Sequence, residues 1–235
     1  MKPTRTPLYS FLIVISIIDM LLVGIVALRY SYSPVSAMES GVGFVILLLA
    51  AGSLWFFRNR VSPRRNSADD NVTIFFGIIL GMLWMIEISI NNFIAPPLPG
   101  RDIMDNIFWA IIAISILVFS VTRAYQKDSI LRGIEDGVWS GFVSGLLACG
   151  MALLIIVFGM HFILQDPLNV SEWAGLGTGG TAPGMAAYFA FETFAGAFGH
   201  LVILGIAMGA LLGVFGGMIG KGFKRIIPNG KEKQP

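Results

Sequence analysis

Six stretches of this chain are long, apolar and free of lysine and arginine: residues 8–28, 37–57, 72–94, 104–122, 138–164 and a last run that ends near 220. Crossing a hydrocarbon core of ~30 Å takes roughly 20 residues of helix, and each run is about that length or longer. In lipid, a segment must satisfy its own backbone hydrogen bonds, so runs of this kind fold as helices. The expectation is an all-α integral membrane protein, a single six-transmembrane-helix bundle over residues 1–235. The connections, of which 58–71 and the segment after Gln165 are longest, are too short to bury a core of their own.

The basic residues fall between these runs and alternate by side. Lys2 and Arg5, then Arg58, Arg60, Arg64 and Arg65, then Arg123, Lys127 and Arg132, and finally Lys221, Lys224, Arg225, Lys231 and Lys233 share one side. That makes fourteen, against Arg29 and Arg101 on the other. The positive-inside bias predicts both termini in the cytoplasm (N-in, C-in), in a plasma membrane of the bacterial inner-membrane type. The first run exceeds the 7–15 residues of a signal-peptide core and reads as an uncleaved anchor. The Arg58–Arg65 cluster reads as a topogenic, lipid-facing loop, and no nucleic-acid partner is expected. The single Cys149 lacks a partner for a disulfide or a metal motif.

Glycine spacing suggests how the helices pack. Gly137, Gly141 and Gly145 recur every four residues in the fifth run, Gly205, Gly209, Gly213 and Gly217 in the last, and Gly77 and Gly81 in the third. Small residues at this spacing form flat strips on which helix backbones approach closely. The strips predict a tightly packed cytoplasmic half built on helices three, five and six. The alternative has one strip facing a second copy (a homodimer) or another membrane subunit. Set antiparallel with Gly137 level with Gly217, the strips bring His161 level with Thr193, beside Glu192.

Residues 185–220 are too long for one perpendicular crossing: 36 residues of helix measure roughly 54 Å. The sequence predicts an interfacial or reentrant half-helix over 185–195, with a break at 195–199 before a final span of 197–220. A single tilted helix is the competing account. Before it lies a glycine-rich loop at 176–184, read as an outside turn. Glu135 and Asp136 read as first-turn acids of the fifth helix, favoured by its dipole, after a cap at Asp128-Ser129.

Ionisable groups at membrane depth raise a functional expectation by default. Asp19, Glu87, Glu192 and His200 lie well inside the runs, His161 near the outer end of the fifth, and Asn91 one turn beyond Glu87. With lysine and arginine absent from the runs, such an acid must stay protonated, pair with histidine, find neutral donors, reach water or bind a cation. These six residues are the candidate substrate or ion pathway, arranged as a polar vestibule open to the outside above the glycine-packed half.

Enzyme patterns are missing. Gly141-Phe142-Val143-Ser144-Gly145 has one residue too many between Gly and Ser for an intramembrane serine protease. No phosphate-cradling loop with lysine, no HExxH and no CxxC is present, so neither catalysis, cofactor nor resident metal is expected. No stretch resembles a known family closely enough to name. Two function classes remain: a small transporter or channel-like protein whose acids respond to protons or cations, and a non-catalytic membrane subunit, including a permease-type subunit of an ATP-driven exporter.

Overall fold

The computed structural model of the chain describes residues 7–61, 67–176 and 182–226. The basic residues Lys2, Arg5, Arg64, Arg65, Lys231 and Lys233, the Arg60 side chain and the Gly177–Gly180 run lie outside that description. Within it the chain is all-helical, and six helices are long and apolar enough to span a membrane, as a multi-pass membrane protein requires.

The helices are α1 (Pro7–Tyr30), α2 (Pro34–Phe56), α3 (Ser67–Ser89), α4 (Gly100–Lys127), α5 (Ile130–Phe158), the short α6 (Met160–Gln165) and α7 (Pro167–Leu176), α8 (Met185–Gly199) and α9 (Met208–Ile226). Wider π-helical turns follow α2, α3 and α8, at Phe57–Val61, Ile90–Ile94 and His200–Ala207. Local sequence sets several of the ends. Ser33 caps α2 in a reciprocal box: the Ser36 amide donates to Ser33 Oγ at 3.1 Å and the Ser33 amide to Ser36 Oγ at 3.0 Å. Pro34 follows at the first helical position, where its missing N–H is not needed. Asp128 turns the chain with a left-handed φ of 49°, and Ser129 then caps α5 through the Arg132 amide.

That cap starts α5 eight residues before the expected 138, and the helix stops at Gly159, short of 164. His161 therefore belongs to α6, beyond the end of α5. The axis of the bundle is α5, which is buried nearly all round while the other spans keep one outward face. Around it pack α1, α3, α4, α8, α9 and the His200–Ala207 turns, and α2 packs on α1.

Glycines set the closest of these contacts, one helical turn away from the expected register. A methyl group at Gly137 would come within 2.7 Å of Gly213 Cα, and one at Gly133 within 2.7 Å of Gly217 Cα. Gly141 likewise faces Gly209 at 3.1 Å, and Gly145 faces Gly205 at 3.2 Å. The two strips meet inside one chain. Gly216 and Gly220, on another face of α9, lie against Ser120, Val121 and Ala124 of α4. On α3, Gly77 and Gly81 receive the side chains of Val143 and Leu147.

The expected break at 195–199 is not seen. Helical geometry continues from Met185 to Ile226, 42 residues, and Gly199 and His200 both keep right-handed helical angles. A broken segment would expose backbone N–H and C=O groups to hydrocarbon, whereas a π turn widens the helix and keeps them bonded. At roughly 63 Å this helix is twice the hydrocarbon thickness, so it tilts or projects beyond the apolar layer.

Candidate functional site

Charge gathers at two levels of the bundle, and the two are built differently. At the basic end, the first turn of α3, the last turns of α4 and the first turns of α5 meet. Arg123 of α4, 6% exposed, donates through Nε to Asp136 Oδ2 at 2.9 Å and pairs with Asp69 Oδ1 at 3.1 Å. Lys127 reaches Asp69 at 2.8 Å. Arg132 pairs with Asp136 at 3.1 Å, Glu135 at 3.4 Å and Asp70 at 3.8 Å. Thr73 donates its hydroxyl to the other Asp136 oxygen at 2.6 Å. The acids sit at the positive ends of α3 and α5 and Arg123 and Lys127 at the negative end of α4, where the helix dipoles favour them; Arg132, in the first turn of α5, is held by its carboxylate partners instead. A cleft of about 250 Å³ opens beside the cluster, lined by Asp69, Lys127, Ser129, Leu131, Arg132 and Glu135.

Sequence reasoning assigned Glu135 and Asp136 to the helix dipole alone and missed their arginine partners. Arg123 falls one residue past the expected fourth run, and its pairing with α3 and α5 is tertiary. An acid–base–acid arrangement at three successive expected helix ends was the available signal.

The middle of the bundle carries polar groups whose hydrogen bonds are incomplete. Asp19 on α1 is 1% exposed and lies against Gly150 of α5, where a methyl group would come within 2.7 Å of its Oδ1. Its Oδ2 has no hydrogen-bond donor among the described residues. His200 opens the π turns of the last helix and presents an edge-to-face ring to Trp84 of α3, with centroids 4.8 Å apart. Its Nδ1 lies 2.9 Å from the Gly196 carbonyl oxygen, so Nδ1 carries hydrogen. In the neutral ring Nε2 is then an acceptor, and it too is buried without a partner. The Gly150–Asp19, Gly145–His200 and Gly81–Leu147 contacts put Asp19, Trp84 and His200 in one layer around the middle of α5. Glu87 follows about one turn farther on.

Glu87 is 5% exposed and joined to two other polar side chains. The Asn91 amide nitrogen donates to Glu87 Oε1 at 2.9 Å and to Asp105 Oδ1 at 2.7 Å. Asp105 is half-buried, in the second turn of α4, so the three groups lead inward from a partly accessible carboxylate to a buried one. The Glu87 and Asp105 carboxyls are also in direct hydrogen-bond contact, and Glu87 Oε2 and Asn91 Oδ1 find no amide, hydroxyl or basic donor among the described residues. Asn91 lies in the π turn Ile90–Ile94, one of two such turns that carry candidate residues; single π turns inside helices often occur at functional sites. Beyond this group, Arg101 pairs with Asp166 at 2.8 Å and donates through Nε to the Pro96 carbonyl.

The structure thus joins Glu87 to Asn91, adds Asp105, and sets His200 beside Trp84, one turn before Glu87. It leaves Asp19 on a separate seam. The expected Glu192–His161 pair does not form among the described residues. Glu192 is exposed on α8, and His161 is exposed on α6 with its ring against Phe162. The register of the glycine strips, one turn off, takes Glu192 away from the level of His161. Asp105 went unremarked in sequence although residue 105 lies inside the fourth run; its place at the end of that run hid its depth. Ser144, of the discarded protease pattern, donates its hydroxyl to the Gly141 carbonyl. Comparison with protein-family models, curated proteins and solved structures found no match to this chain.

Proposed function

We propose that the chain is a small ion-coupled transport protein of the plasma membrane, with Glu87 as its coupling carboxylate and Asn91 and Asp105 as the way in. One observation carries this reading: a buried carboxyl at membrane depth is in hydrogen-bond contact with a second, more accessible carboxyl, and one amide bonds to both. Two carboxylates this close do not both carry charge unless a proton or a cation lies between them. A pair of that kind is suited to taking up and releasing a charge. Asp19 and His200 add acceptors at the neighbouring level. In this reading both termini are cytoplasmic, as the distribution of basic residues supports, and the Asp105 side faces outward.

The test is flux through the purified chain reconstituted in liposomes, with proton- and cation-sensitive dyes inside and a potassium diffusion potential as driving force. Wild type is expected to move ions faster than protein-free vesicles, and Glu87→Gln to fall to the protein-free rate while still inserting and expressing normally. Flux that survives Glu87→Gln overturns the role of Glu87. A wild type that moves nothing and reproducibly co-purifies with another chain from native membranes belongs to the subunit class.

A further inference from the structure

Glu87, Asn91 and Asp105 differ from the other buried acceptors in bringing the oxygens of three side chains together in one place. The Asn91 amide group donates to both carboxylates, whose bonded oxygens lie no farther apart than the sum of its 2.9 and 2.7 Å bonds, and the two carboxyls are themselves in hydrogen-bond contact. Two more oxygens of the cluster, Glu87 Oε2 and Asn91 Oδ1, are buried with no amide, hydroxyl or basic donor among the described residues. Arg101, one turn before Asp105 on α4, is paired with Asp166. The neighbouring Ser89 and Asn92 side chains donate instead to the Met85 and Ile88 carbonyls of their own helix. Finally, Asn91 sits in the last turn before the left-handed Ala95 ends the helix, so the negative end of a long helix dipole points here.

From this convergence we propose that Glu87, Asn91 and Asp105 form a binding site for a sodium-like alkali cation. The inference rests on the transport reading and names its ion. Oxygen-only ligands of this kind select hard cations. A calcium ion takes six to eight oxygens, and magnesium demands octahedral geometry with several retained waters, more than three side chains in a half-buried seam supply. One proton serves a single pair of these oxygens, whereas one cation contacts all three groups and answers both carboxylates. Helix C-terminal ends are also among the elements by which membrane transporters hold monovalent cations at depth.

The protein carries its own reporter. Trp84 lies three residues before Glu87 on α3, Trp109 four after Asp105 on α4, and their rings meet at 5.8 Å. Purified full-length protein is titrated with sodium chloride against choline chloride at constant ionic strength, reading tryptophan fluorescence and the thermal unfolding midpoint. Sodium is expected to give a saturable fluorescence change and to raise the midpoint by several degrees; choline should do neither. Asp105→Asn should weaken the apparent affinity on the order of tenfold or more, and Glu87→Gln should abolish the response. Asn91→Ala provides a third, uncharged lesion should either carboxylate variant fail to fold. Glu39→Gln, on the exposed face of α2, should respond as wild type. A sodium response no different from choline, one kept intact in Glu87→Gln, or a signal that follows pH alone overturns the cation site. Glu87-dependent proton flux without sodium binding would sink this inference and leave the transport reading standing; saturable sodium binding without flux does the reverse.

Discussion

Asp136 and Asp19 are equally buried, each 1% exposed, yet they sit in opposite circumstances. Asp136 takes a hydroxyl from Thr73 and charge from Arg123 and Arg132. Asp19 has a glycine beside it and an oxygen with no donor. Burial alone therefore does not distinguish these acids; they differ in whether the carboxylate is answered by donors and charge. The basic end is a lock that ties three helix ends together through complementary charge. The middle layer, with Glu87 and His200 alongside Asp19, is a set of acceptors that the protein itself leaves open.

The largest effect should come from breaking the lock. Asp136→Ala strands Arg123 and Arg132 as buried charges without their shared carboxylate, a loss of roughly 3–5 kcal/mol. Unfolding of the purified protein in detergent should show it, together with a fall in yield. Asp19→Asn removes a carboxylate that nothing answers and should cost under ~1 kcal/mol or stabilise slightly. Equal losses at the two positions would erase the distinction. It would be sharpened by replacing Arg123, Arg132 and Asp136 together with apolar residues of similar volume, which should be less destabilising than Asp136→Ala alone because neither arginine is left without its shared carboxylate, while Asp69 keeps Lys127.

Next in size comes the glycine seam. At Gly141 a methyl group would run into the Gly205 carbonyl and the Gly209 Cα, both backbone atoms that cannot turn aside. Gly141→Ala should cost about 1–3 kcal/mol as the helices are pushed apart, read as a lower unfolding midpoint. Glu87→Gln should leave that midpoint within ~1 kcal/mol of wild type while abolishing flux, since the amide fills the same space and its oxygen can accept the same Asn91 bond.

Hydropathy alone located the six spans, because burial in lipid is written residue by residue. Register was harder to read, for a specific reason. Strips that repeat every four residues look alike after a slip of one turn, and the ends alone distinguish the two alignments. Gly133 decides it: counted with Gly137, Gly141 and Gly145, it makes four glycines that match Gly217, Gly213, Gly209 and Gly205. It was passed over because hydropathy began the fifth span at residue 138, whereas Ser129 begins the helix. The same end effect hid Arg123 and Asp105, both at the margins of apolar runs. Asp19, Glu87, Asn91 and His200 were legible as polar residues at depth. Their incomplete bonding was not, since it depends on what α3, α4, α5 and the last helix place around them.

The smallest effect tests whether glycine in this chain means packing wherever it occurs. Gly24 in α1 repeats no strip, and a methyl group there would meet nothing within 4 Å. Helix interiors favour alanine over glycine by up to ~1 kcal/mol, because glycine loses more backbone freedom on folding. Gly24→Ala should therefore raise the unfolding midpoint slightly, opposite in sign to Gly141→Ala. If Gly24→Ala is instead destabilising, α1 has a close neighbour on that face in the membrane, and the outward surface of α1 would be a contact with a second chain rather than with lipid.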